Sequence, residues 1–186
     1  MKILKTEFPG LVIIEPVIFQ DARGYFFESY NNRKFQEAGI DYTPVQDNES
    51  SSKRGVIRGL HYQEEPFAQA KLIRVIEGQI YDVALDIRKD SPTYGKWYGL
   101  IIDSESKRQF LIPKGFAHGF SVLSEKAIVH YKCDNFYSQE HEAGINVKDA
   151  SLKIDWMIDD DKENISPKDL SQPLFKDIST CFNFRG

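Results

Sequence analysis

The stretch KLIRVIEGQIYDVALDIR, residues 71–88, decides the fold class. In its second half Tyr81, Val83, Leu85 and Ile87 alternate with Asp82, Ala84, Asp86 and Arg88. Successive side chains of an extended strand point to opposite faces, so this period of two predicts a strand with one apolar and one largely polar face. The first half is a second run of strand formers. Glu77-Gly78-Gln79 between the halves supplies turn residues, which predicts a hairpin.

The same rhythm continues outward. WYGLIID (97–103), QFLIP (109–113), GFSVLS (119–124) and AIVHYKCDNFY (127–137) are short strand-like runs parted by turn residues. Upstream, LVIIEPVIFQDARGYFFESY (11–30) reads as strands broken by a turn at residues 21–24. NNRKFQEAG (31–39) reads as a short helix with an asparagine cap, Phe35 and Ala38 three apart, and Gly39 as its stop. This pattern predicts an all-β sandwich or barrel with a few short helices. The acidic stretch DWMIDDDKENISPKDLSQPLF (155–175) differs, and SPKDL predicts a brief helical turn capped by Ser166 with Pro167 in its first turn. With no repeat, low-complexity tract or linker, residues 1–186 are expected to form a single domain, its tail from about residue 151 wrapping the barrel.

Composition narrows the function. The 41% hydrophobic and 28% charged make-up is that of a globular protein. A net charge of -4 excludes the basic footprint of a nucleic-acid binder, so an anionic ligand would have to be held by a few converging cations. Cys133 and Cys181 stand far apart in no paired motif, which argues against a disulfide framework or a structural zinc site. No run approaches the roughly 20 apolar residues of a membrane-spanning helix, and MKILKTEFPG lacks a signal-peptide core; a cytoplasmic protein is expected.

Two histidines draw attention: His61 in RGLHYQ (58–63) and His118 in IPKGFAHGF (112–120). Pro113-x-Gly115-x-x-His118 resembles the second histidine motif of the cupin barrels. Metal-binding cupins add a His-x-His pair, but here the earlier site reads His61-Tyr62-Gln63, and Glu64 and Glu65 follow too soon for the usual glutamate. A mononuclear catalytic site usually needs about three protein ligands, so no metal is expected. Proton transfer needs a histidine, an orienting carboxylate and an acid on the opposite face of the substrate. Asp82, Asp86 and Asp169 are candidate carboxylates and Tyr131 a candidate acid, and pattern does not choose among them. By residue type alone Tyr131 is an ordinary strand tyrosine, Asp169 the acidic partner of the Ser166 cap, and Lys71 and Arg58 solvated strand-end charges.

The order of motifs goes further. DARGYFFESY (21–30), QDNESSSKRGVIRGLHYQ (46–63), residues 68–97, IPKGFAHGF (112–120) and YKCDNFYS (131–138) together closely resemble the dTDP-4-dehydrorhamnose 3,5-epimerase family over roughly residues 1 to 175. The resemblance implies a cupin-like jelly-roll barrel that needs no cofactor. It makes His61 the base, Tyr131 the acid, Asp169 the partner of His61, and Lys71 the stabiliser of a C4 oxyanion. Arg23, Phe26, Glu28, Gln46, Asp47, Asn48, Arg58, His118, Tyr137, Glu142 and Lys168 match ligand-binding positions, with Tyr137 stacking on thymine. It also implies a homodimer in which the segment around Arg23 to Glu28 reaches into the partner's site. The substrate implied is a dTDP-4-keto-6-deoxyhexose destined for rhamnose in a cell-surface polysaccharide such as O antigen. GINVKDASLKIDW (144–156) departs from the commoner Gly-x-x-Trp-Asn-Asp-Pro form, though Trp156 is kept. Alternatives are a mono-epimerase acting at C3 or C5 alone, a non-catalytic sugar-nucleotide-binding cupin, and a metal-dependent cupin oxygenase, which the missing ligand pair disfavours.

Overall fold

A computed structural model describes residues 1–184. Its strands are β1 Lys2–Lys5, β2 Val12–Glu15, β3 Ile18–Asp21, β4 Gly24–Phe27, β5 Gln46–Lys53, β6 Val56–Gln63, β7 Lys71–Glu77 and β8 Gln79–Asp86. They continue with β9 Trp97–Asp103, β10 Gln109–Ile112, β11 Phe116–Val122, β12 Lys126–Cys133, β13 Glu142–Gly144 and β14 Asn164–Ile165. Two short α-helices, α1 Asn32–Glu37 and α2 Pro167–Leu170, and three single-turn 3-10 helices complete the regular structure of the described residues. One sheet runs β1-β2-β10-β7-β12-β5. The other runs β13-β6-β11-β8-β9, with β14 beside β6. The chain is all-β, as the alternating pattern predicts.

The turn at Gly78 is present, but the predicted hairpin is not. β7 pairs with β10 and β12, whereas β8 pairs with β11 and β9, so the turn carries the chain from one sheet to the other. Gly78 is at φ +83, and a Cβ there would meet the Lys126 carbonyl oxygen, so glycine is required.

The two sheets face each other over an apolar interior. Ile73, Val75, Phe110 and Val129 come from the first sheet and Ile80, Ala84, Phe116 and Phe120 from the second. Each sheet is also covered outside. Trp156, Leu152 and Phe182 of the C-terminal segment pack on Tyr81, Val83, Leu85 and Ile87, while Phe35 of α1 and Tyr42 pack on Val12, Ile14 and Leu72. The apolar face of β8 thus points outward to the tail, and its polar face points into the barrel. Both are buried. Full burial of one such aliphatic or aromatic side chain contributes about 1.5–3 kcal/mol, and Trp156 is further tied down by donating to the Val147 carbonyl at 2.9 Å.

Candidate active site

β6 and β11 approach unusually closely at paired glycines. A Cβ on Gly59 would lie 2.5 Å from Gly119 Cα, and one on Gly119 would lie 2.7 Å from the Arg58 carbonyl oxygen. This contact sets the register in which His61 lies opposite His118, both facing the barrel interior. β14 then runs parallel to β6 and delivers α2 beneath it. Ser166 caps α2 by accepting the Asp169 N–H at 3.0 Å. The same Asp169, almost wholly buried, accepts from His61 Nε2 at 2.7 Å and from the Gly59 N–H at 3.4 Å. Asp169 therefore serves twice: its N–H is the donor that the Ser166 cap takes up, and its carboxylate orients His61.

Burial pushes the Asp169 carboxyl up, but the hydrogen bond and charge of His61, with Gly59 and Ser166, outweigh it and hold it below the usual carboxylate range. An ionised carboxylate only accepts. A neutral His61 therefore carries its proton on Nε2, leaving Nδ1 as the nitrogen able to take another.

The first sheet faces this dyad with a different set. Tyr131 on β12 lies opposite Asn48 on β5 and Ile73 on β7, and packs against the inner core. Burial raises its phenol pKa, a nearby Cys133 adds to this, and Arg58 opposes it, so it stays protonated at neutral pH. Lys71 opens β7 opposite Cys133. Loss of water lowers its pKa, and the nearby Cys133, Asp82 and Glu142 oppose that shift. His118 Nε2 lies 2.9 Å from Oδ1 of the fully buried Asp82, whose carboxyl is raised by burial despite His118 and Lys71.

At the rim, Glu142 accepts from the Tyr137 hydroxyl and the Lys168 ammonium, both at 2.8 Å. Arg58 Nε donates to Ser52 Oγ at 3.0 Å, linking β6 to β5, and Gln46 Nε2 donates to Asn48 Oδ1 at 3.1 Å. The structure thus brings together His61, Asp169, His118, Lys71, Tyr131, Arg58, Gln46, Asn48, Tyr137, Glu142 and Lys168.

Four expected residues do not join them. Asp47 falls on the opposite face of β5 from Gln46 and Asn48, where it pairs with Lys132 at 2.8 Å and His130 at 3.6 Å. Alternation along the strand excludes it from the cluster. Arg23, Phe26 and Glu28 belong to the exposed β3–β4 ribbon and its exit. Arg23 pairs with Asp21 at 2.6 Å, Glu28 pairs with Lys34 at 2.8 Å, and the Phe26 ring is 69% exposed.

Asp82, one of the three candidate carboxylates in the sequence, joins the set as the partner of His118 and not of His61. Among the described residues, no cluster of three His, Cys, Asp or Glu is disposed to hold a metal ion. A groove of about 540 Å³ lies elsewhere, along β1 and the turn at Gly39, with Lys5, Asp41 and Tyr42 as its ionisable groups. Convergent chemistry, not volume, marks the site between the sheets.

Comparison with known proteins gives a consistent picture. The family model described as dTDP-4-dehydrorhamnose 3,5-epimerase matches residues 5–177. A dTDP-4-dehydrorhamnose 3,5-epimerase of Shigella flexneri is 51% identical over 178 residues, covering 95% of this chain and 97% of its own. The crystal structure of the Elizabethkingia anophelis dTDP-4-dehydrorhamnose 3,5-epimerase superposes with a TM-score of 0.91 at 50% identity, over 95% of this chain and 97% of that one. A Legionella pneumophila dTDP-6-deoxy-D-glucose-3,5-epimerase, in complex with dTDP-4-keto-L-rhamnose, gives a TM-score of 0.91 at 47% identity, covering 96% and 94%. These likenesses identify the two-sheet sandwich as the cupin-like jelly roll of such epimerases.

Proposed function

The chain belongs to the dTDP-4-dehydrorhamnose 3,5-epimerase family, and on that premise we propose that it inverts C3 and C5 of dTDP-4-dehydro-6-deoxy-D-glucose to give dTDP-4-dehydro-L-rhamnose. The observation that carries this reading is the placement of His61, held by Asp169 of α2, on one sheet and of Tyr131 and Lys71 on the other, the three facing one interior. The C4 ketone acidifies the hydrogens at both neighbouring carbons. His61 takes the proton as the C–H bond breaks, and the electron pair moves into the carbonyl to give an enolate. The charge gathers on the C4 oxygen, where Lys71 stabilises it. The phenol of Tyr131 then delivers a proton to the opposite face, which inverts the carbon. Solvent exchange returns the lost proton to Tyr131 and removes the gained one from His61. The ketone itself supplies the activation, so the step calls for no cofactor.

Arg58 offers a guanidinium fork to the diphosphate. Gln46, Asn48, His118, Glu142 and Lys168 serve the rest of the nucleotide sugar, with Tyr137 under the thymine. The exposed β3–β4 ribbon, with Phe19 62% and Phe26 69% exposed, supports an exchanged homodimer in which Arg23, Phe26 and Glu28 serve a partner's site. We place this one-domain enzyme in the cytoplasm, supplying rhamnose for a surface polysaccharide. No helix among the described residues is long and apolar enough to cross a membrane.

Incubation with the substrate in deuterated water tests the reading. Deuterium is expected at both C3 and C5. Label at one carbon alone would make the protein a mono-epimerase, and no label with intact nucleotide binding would leave only a binding protein.

A further inference from the structure

The loop from residue 134 to 141, between β12 and β13, carries the rings of Phe136 and Tyr137, 60% and 54% exposed. Asn135 ties the start of this loop to Gln69 and Pro66, and the Glu64 N–H ties its end at the His141 carbonyl. Between them, the backbone under the two exposed rings is held by two amides from opposite sheets. Gln46, on β5 of the first sheet, accepts the Tyr137 N–H at 2.9 Å. Gln63, the last residue of β6 in the second sheet, accepts the next N–H, that of Ser138, at 2.6 Å. The Nε2 of Gln63 also donates to the Phe136 carbonyl at 3.1 Å and the Phe67 carbonyl at 2.8 Å.

Gln63 is only 4% exposed, so these bonds do not compete with water. Its amide orientation is forced, because reversal would set an NH2 against an N–H and an oxygen against two carbonyls. A glutamate of the same shape would lose both donors and bring a negative charge to those carbonyls. Beyond the backbone, the Tyr137 hydroxyl is held by Glu142 at 2.8 Å. The ring is thus fixed at both ends before any ligand arrives.

We propose that Gln63 is a positioning residue that clamps the 134–141 loop and so holds Tyr137 as a preformed platform for the thymine ring. The proposal deepens the functional reading above and rests on it. A preformed platform spares the ligand the ordering of a mobile loop. Gln63 touches no substrate; it acts through Tyr137, and its loss shows in nucleotide affinity rather than in turnover.

The test is calorimetric titration of Gln63→Glu, Tyr137→Ala and the double variant with dTDP and with inorganic pyrophosphate, alongside turnover at saturating substrate. Gln63→Glu is expected to weaken dTDP roughly tenfold, within the loss typical of removing a base-stacking aromatic, with pyrophosphate affinity and kcat unchanged. In the Tyr137→Ala background it should add nothing. Wild-type dTDP affinity in Gln63→Glu overturns the clamp, as does a full additional loss in the double variant or a parallel loss of pyrophosphate binding. Failure of the wild-type protein itself to bind dTDP would sink the functional reading as well. Amide hydrogen exchange on the wild-type protein needs no variant to fold: protected Tyr137 and Ser138 amides support the clamp, and exchange at the rate of a free loop overturns it.

Discussion

Two aspartates on one strand separate the working end of the barrel from its structural end. Asp82 and Asp86 lie four residues apart on β8, on the same inward face, and both are wholly buried. Asp86 receives Arg88 Nε at 2.9 Å and Nη2 at 2.7 Å, Ser91 Oγ at 2.6 Å and Thr93 Oγ1 at 2.7 Å. Arg88 in turn stacks on Phe116 and Phe184 and donates to the Pro9 carbonyl at 3.0 Å, tying both chain ends to this network. Burial pushes the Asp86 carboxyl up, yet these donors win and hold it low. Asp82 has His118 as its hydrogen-bond partner, and burial wins. The difference lies in the supply of donors, since residue type, strand and face are the same. A fully satisfied buried charge finishes a fold, whereas a sparsely satisfied one is a reactive environment held in place by the rest of the structure.

The comparison predicts that the two ends fail differently. The largest effect falls at the open end. His61→Asn should lower kcat by about 10⁴-fold, the upper end for a general base, while the urea midpoint hardly moves; deuterium wash-in and urea unfolding measure the two. Next comes the closed end. Asp86→Ala leaves the Arg88 guanidinium buried without its carboxylate and should cost about 3–5 kcal/mol of stability, with kcat per folded molecule preserved. A variant that kept its stability but lost activity would erase the distinction.

How much of this was legible before folding varies with the physics of each element. β8 and β12 could be read because apolar side chains recur with period two. β5 could not: QDNESSSK has no apolar residue, yet it pairs with β12 along its whole length, from Lys53 opposite Lys126 to Gln46 opposite Cys133. Hydrophobic periodicity is blind to a strand whose inner face is made of amides and hydroxyls. That blindness let Asp47 stand with Gln46 and Asn48, although strand alternation turns it away. Gly78 announced a reversal, but a turn residue cannot say whether the flanking strands pair or part. Asp169 was readable as a cap partner. Its contact with His61, 108 residues away in sequence, depends on β14 docking beside β6.

Asp82→Asn keeps the shape of the side chain and removes its charge. Its effect on stability at neutral pH should be small, about 1 kcal/mol or less, since His118 retains an amide partner. The more telling change is in Lys71, whose pKa is lowered by burial and supported by Cys133, Asp82 and Glu142. With one supporting charge gone, the alkaline limb of the rate profile should move to lower pH. An unmoved limb would mean that Asp82 serves His118 alone.

The finest test compares stability against pH for Asp82→Asn and Asp86→Asn, each relative to the wild-type protein. The Asp86 carboxyl is depressed on folding, so its contribution is present above the unfolded value of about 3.9 and is lost as pH falls through the folded value. The Asp82 carboxyl is raised, so its contribution is present below the unfolded value and is lost as pH rises through the folded one. Between neutral pH and pH 3, the advantage of the wild-type protein over Asp86→Asn should therefore shrink on acidification, while its standing against Asp82→Asn should improve. The sign of each change follows the direction in which folding moves that carboxyl. Urea midpoints across that range read both slopes from the same strand. Curves sloping the same way would show that four residues along β8 do not change the carboxyl's surroundings, and the division between a working end and a structural end would fall.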